Sequence, residues 1–107
     1  MALYMTQAAY TGDAWKARVE SPQDRVSHIR EMIEAVGGRL VSFYYSFGEY
    51  DLVLITEAPD NVSIASLLIA VAGGGSVSNM KTTVLMSAED GQEAVNRAGN
   101  VAYRPPS

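Results

Sequence analysis

The chain has 107 residues, 48% hydrophobic and 19% charged, which suits one packed core and argues against a disordered segment. Its 8 Lys and Arg stand against 12 Asp and Glu, a formal net charge of -4 with no basic cluster, which argues against a nucleic-acid surface. There is no cysteine, which excludes disulfides, thiolate catalysis and cysteine-held zinc or iron–sulfur centres.

A chain this short is expected to form one domain, over residues 1–100, with an extended tail over 101–107. Folding alone would bury roughly two-thirds of its extended surface. The low charge leaves little polar cover, so self-association is expected to hide the excess apolar area. The first residues lack a basic segment followed by an apolar core, and the longest apolar run, 64–72, is far too short to span a membrane. A cytoplasmic protein without a membrane partner is expected.

In chain order, residues 2–9 read as a first strand that ends at the turn formers Thr11, Gly12 and Asp13. A short helix is expected over 14–19, with Trp15 and Val19 stacked on one side. Ser21, Pro22 and Asp24 then read as the cap, first turn and dipole partner of a longer helix. In it Val26, Ile29, Ile33 and Val36 recur at helical spacing, and Gly37-Gly38 stops it.

Residues 39–57 carry the longest strand–turn–strand signal, RLVSFYYSFGEYDLVLITE. In the strand over 40–47, Val41, Phe43, Tyr45 and Phe47 form the more apolar face and are expected to meet the core helices. The strand over 51–57 is apolar on both faces, as expected for a central strand covered on both sides. Helices would cover one side and a second subunit the other. Asp60 and Asn61 begin a helix over 62–72 that carries no charge and is expected to be buried on most sides. A fourth strand follows over 76–86, with Val77, Asn79, Lys81, Thr83 and Leu85 on one face. Ser87 to Asp90 repeats the capping pattern and opens a last helix to about residue 98. This order predicts an α+β fold, a ferredoxin-like β-α-β-β-α-β sandwich with a four-stranded antiparallel sheet, plus a C-terminal helix.

Gly48-Glu49-Tyr50-Asp51, read as G-x-Y-D and followed by LVLITEAPDN, resembles the motif of the GYD-domain family. Gly12 with Trp15 and Lys16, the stretch 22–25, Gly37-Gly38 and Thr82-Thr83 match as well, so the resemblance spans about 2–98. That family is similar to ferredoxin-like, dimeric α+β barrel proteins. The resemblance implies the fold and supplies no particular chemistry.

Several residues are candidates for a site. Tyr50 and Asp51 place a hydrogen-bond donor and a charge at the hairpin mouth, or else Gly48 and Asp51 merely build a tight turn. His28 is the only histidine, and no carboxylate cluster accompanies it, so no metal and no cofactor is expected. Asp24, at i−4, is its natural helical neighbour. Tyr4, Phe43, Tyr44, Tyr45, Phe47 and Tyr50 line a pocket or pack the sheet. Arg25 and Arg39 hold an anion, or pair with Glu34, Glu49 or Glu57 at the surface. The triple glycine 73–75 follows a helix and lacks the residues of a phosphate loop, and no serine nucleophile motif is present.

Two functions follow from this. One is a non-catalytic small-molecule binding or structural and interaction module, homo-oligomeric through its sheet face. The other is a cofactor-free enzyme of oxygenase or isomerase type, with an apolar cavity between sheet and helices. Ligand-binding candidates for either are Tyr45, Tyr50, Asp51, Arg25 and His28.

Overall fold

The computed structural model describes residues 1–22 and 24–106. Its elements are β1 (Ala2–Tyr10), α1 (Gly12–Glu20), α2 (Arg25–Ala35), β2 (Arg39–Tyr45), β3 (Leu52–Ala58), α3 (Asn61–Gly73), β4 (Val77–Leu85) and α4 (Ala88–Ala98). The four strands form one antiparallel sheet in the order β2-β3-β1-β4, the ferredoxin-like arrangement.

Strand alternation builds the core on one sheet face. Tyr4, Thr6 and Ala8 of β1 and Leu52, Leu54, Thr56 and Ala58 of β3 are all buried. Ile33 of α2 and Ile64 and Leu67 of α3 close over them. α2 lies against β2, and α3 against β3 and β4. The opposite face carries Leu3, Met5, Val53 and Ile55, none of them buried.

Several expectations need correction. Ser21 does not start α2: its N–H donates to the Ala17 carbonyl at 2.9 Å, which closes α1. Asp24 is the cap. Its carboxylate accepts the N–H groups of Val26 and Ser27, and the Ser27 hydroxyl at 2.7 Å. Asp24 is therefore committed to the helix start instead of to His28. Gln23 lies outside the described residues. In α1, Trp15 packs on Tyr10 while Val19 is 78% exposed, so the expected Trp15–Val19 stack is absent.

Two register shifts change which side chains face the helices. Leu40 pairs with Thr56 and Ser42 with Ile55, so Val41 is an extra residue in β2. Upstream of that bulge Leu40, not Val41, packs on the core, while Phe43 keeps its expected place there. Tyr10 pairs with Val77 and Ala9 with Asn79, and this second shift carries Val77 to the helix side of β4. Phe47 follows the end of β2 and is fully exposed.

α3 is not buried on most sides. Val62 and Ile69 are 75% and 72% exposed, so a second apolar surface faces outward. α4 buries none of its residues.

Gly37 takes φ +83° and ends α2 in the left-handed region. Gly38 is required for another reason: a Cβ there would stand 2.5 Å from the Glu57 carbonyl oxygen and 3.0 Å from Ile33.

Candidate functional site

Because α2 and α3 rest on different strands, the sheet between them is incompletely covered. A chamber of about 240 Å³ remains there, open on one side. Leu52, Leu54 and Ala8 form its floor, Ile29 and Met32 of α2 one wall, and Ile64 and Leu67 of α3 the other. Few polar groups reach it: Thr6, Thr56, Tyr10, Ser76, Arg25 and His28 are on its lining.

The hydroxyls of Thr6 and Thr82 bond each other at 3.0 Å. Thr56 is different. It is 1% exposed, and its hydroxyl has no hydrogen-bond partner among the described residues. A lone buried hydroxyl costs free energy, about 1–3 kcal/mol.

A second cavity of about 220 Å³ lies beside the first, between the end of β1, α1 and the start of α2. Tyr10, Arg25 and Ser76 line both. Ala14, Ala17 and Arg18 of α1 complete this cleft. The Arg18 guanidinium lies between two tyrosines, 5.5 Å from the ring centres of Tyr10 and of Tyr45. Its Nη2 donates to the Tyr45 hydroxyl at 2.7 Å, while its Nη1 is shielded from water and bonds to no acceptor among the described residues. Among the described residues, neither Arg18 nor Arg25 has a carboxylate within ion-pair distance; Arg39–Glu57 and Arg97–Glu93 are the pairs formed. Burial raises the Tyr10 phenol above its ordinary pKa, and the charges of Arg18 and Arg25 pull it back.

The five candidates separate into groups. Arg25 and His28 line the chamber, with the His28 side chain on its exposed rim. Tyr45 lines neither cavity but holds Arg18, and packs edge-on against Phe43 with ring centres 5.1 Å apart. Tyr50 and Asp51 line neither. The Tyr50 carbonyl accepts the Ser46 hydroxyl at 2.8 Å. The Asp51 carboxylate accepts the Tyr10 N–H at 2.8 Å and the Trp15 indole N–H at 3.3 Å. Gly48, at φ +134°, makes the turn that leads there. The hairpin motif thus ties β1, α1 and β3 together at one end of the sheet. Tyr4 is core: its hydroxyl donates to Asn61 at 2.5 Å. Arg39 pairs with Glu57 at 3.2 Å on the surface.

Arg18 and Thr56 are not legible as site residues in the sequence. Arg18 lies in a helix of mixed polarity, and Thr56 reads as an ordinary strand threonine.

The GYD domain family model matches residues 4–95, and the chain belongs to that family. A Thermus thermophilus protein called glutamine synthetase and cystathionine beta-lyase binding protein is 30% identical over 81 residues, 75% of this chain and 84% of that one. The structure is similar to 30S ribosomal protein S6 from Thermotoga maritima (TM-score 0.58, 14% identity, 92% of this chain and 97% of that one). It is also similar to the crystal structure of a Thermus thermophilus protein (TM-score 0.53, 18% identity, 82% of this chain and 96% of that one). At those identities the structural likenesses concern the fold alone.

Proposed function

We propose that this chain is a non-catalytic binding module with a small-molecule site in the chamber between its sheet and helices. The observation that carries this is the Thr56 hydroxyl, at 1% exposure and without a partner among the described residues, on the lining of a mostly apolar cavity. Filling the chamber with an apolar molecule that carries one acceptor or donor would recover buried contacts and satisfy that hydroxyl. Arg25 and His28, at the rim, are the binding residues among the five candidates.

The interaction half of the reading rests on surfaces. Leu3, Met5, Val53 and Ile55 form an apolar patch on the open sheet face, whose period-2 pattern suits a second copy of the chain packed face to face. Val62 and Ile69 offer a separate apolar face on α3. The relative named for binding two enzymes supports protein partners for this chain as well.

A cofactor-free enzyme is the second reading, favoured by His28 beside an apolar chamber. Asp51 argues against it, because its carboxylate is occupied by the Tyr10 and Trp15 N–H groups.

A thermal-shift screen of small apolar molecules tests the first reading. A ligand at a hundred times its Kd adds about 2.7 kcal/mol of stability, an easily measured rise in Tm. Hits are expected to lose their effect in Val71→Phe, which narrows the chamber at a residue of α3 on its lining. Hits that stabilise that variant equally would place binding elsewhere, and turnover of a hit would favour the enzyme.

A further inference from the structure

The chamber and the cleft differ in chemistry and are adjacent, with Tyr10, Arg25 and Ser76 on the lining of both. The first is lined mostly by aliphatic side chains, the second holds Arg18, and Arg25 lies on the lining of both. Both arginines lack a carboxylate partner among the described residues, and Arg18 Nη1 is cut off from water with no acceptor. A charged nitrogen in that condition is strongly disfavoured unless an anion completes it. Asp51 is close enough to influence Tyr10, but it does not line the cleft and its Oδ2 is already engaged.

We propose that the two adjacent cavities together bind an amphipathic carboxylate. Its carboxylate sits in the cleft, held by Arg18 and Arg25, and its hydrocarbon passes Tyr10 and Ser76 into the chamber. This rests on the chamber being a ligand site and adds the chemical class of the ligand. The planar guanidinium fork matches a carboxylate, and the Tyr45 and Tyr10 rings hold that of Arg18 in place. A monoanion fits better than a dianion, because Asp51 stands at the same end of the sheet and the chain is already at net charge -4. The size of the tail follows from volume. Since an apolar cavity of about 150 Å³ accepts benzene, one of about 240 Å³ takes a hydrocarbon of about eight to ten carbons.

Isothermal titration of the whole chain with octanoate, 1-octanol, octylamine and octyl phosphate tests this. Octanoate is expected to bind about tenfold or more tighter than 1-octanol, the worth of one charge-assisted hydrogen-bond pair, and octylamine weakest. Arg18→Met, which leaves the chamber lining intact, is expected to lower octanoate affinity about tenfold while leaving 1-octanol unchanged, and Arg25→Gln to weaken octanoate by a larger factor than 1-octanol, each checked for native circular dichroism. The comparison among ligands on the unaltered protein stands even if a variant fails to fold. Octanoate no tighter than 1-octanol would overturn the anion site while leaving the apolar chamber intact. Octyl phosphate tighter than octanoate would overturn the carboxylate assignment. No binding of any of the four would remove both this inference and the ligand-binding reading beneath it.

Discussion

The carboxylate of Asp51 accepts the backbone N–H of Tyr10 at 2.8 Å, across a sequence separation of 41 residues. The bond lies at the end of the β1–β3 ladder, just past the pairing of Ala8 with Leu52, where the Asp51 N–H also donates to the Ala8 carbonyl at 2.8 Å. The same carboxylate accepts the Trp15 indole and so anchors α1, which buries no residue of its own. α1 in turn carries Arg18 into the cleft.

Asp51→Ala is therefore expected to destabilise the protein by about 1–3 kcal/mol, because the Tyr10 and Trp15 N–H groups lose their acceptor. Asp51→Asn keeps an acceptor oxygen and is expected to lose less. Urea denaturation measures both. An Asp51→Ala variant as stable as the parent would show that water replaces the carboxylate without loss.

Thr56→Val replaces the lone hydroxyl with a methyl group of similar shape. Without ligand the variant is expected to be more stable, by about 1 kcal/mol. Polar ligands of the chamber are expected to bind it less tightly. A loss of stability on this substitution would mean that the Thr56 hydroxyl is satisfied in the free protein, and the argument for a ligand there would fail.

Gly38→Ala is expected to cost about 1–3 kcal/mol or more, since the new Cβ meets the Glu57 carbonyl oxygen at 2.5 Å, a backbone atom that cannot turn aside. A thermal melt of the variant checks this. An unchanged Tm would contradict the close approach of β3 to the end of α2.

Much of the fold is legible in the sequence because it follows from periodicity. Ile29, Ile33 and Val36 recur at helical spacing, so α2 and its inward face can be read directly; β3 is legible as a central strand, but Leu52 to Ile55 are apolar on both faces, so the burial of Leu52, Leu54 and Thr56 instead of Val53 and Ile55 is not. The bulge at Val41 is not legible either, because an extra residue leaves no mark on composition while it reverses the phase of the strand before it. The start of α2 is ambiguous because Ser21 and Asp24 both carry capping chemistry, and only the end of α1 at Ser21 decides between them. The site is the least legible part. Arg25 and Arg18 come from separate helices, and that Thr56 lacks a partner is a fact of three-dimensional packing.

The acid limb of stability has a defined sign. Hydrogen bonds from Ser27 hold Asp24 below the ordinary aspartate value, and those from Ser63 do the same for Asp60. A carboxylate depressed on folding contributes stability that is fully present above its unfolded value, near 3.8, and is lost as pH falls through the lower folded value. Asp24→Asn with Asp60→Asn keeps the caps but removes their titration. Its Tm is expected to fall less between pH 5 and pH 2 than that of the parent, values chosen to span about the range of this linkage. Parallel pH profiles would contradict it.

If the open sheet face joins two copies, the protein is expected to sediment at about twice its 11.5 kDa chain mass. Ile55→Lys, on that face, is expected to give the single-chain mass while leaving the helix-side core unaltered. A parent protein that sediments as a monomer at high concentration would defeat this assembly.

Chemical-shift mapping of methyl groups tests the central claim most directly, because the two faces of β3 carry separate reporters. On titration with octanoate, the methyls of Thr56, Leu54, Ile64 and Leu67 around the chamber are expected to shift in a saturable way. Those of Val53 and Ile55, on the opposite sheet face, are expected to stay fixed. Shifts confined to Val53 and Ile55, or none at all, would contradict a ligand site between the sheet and its helices.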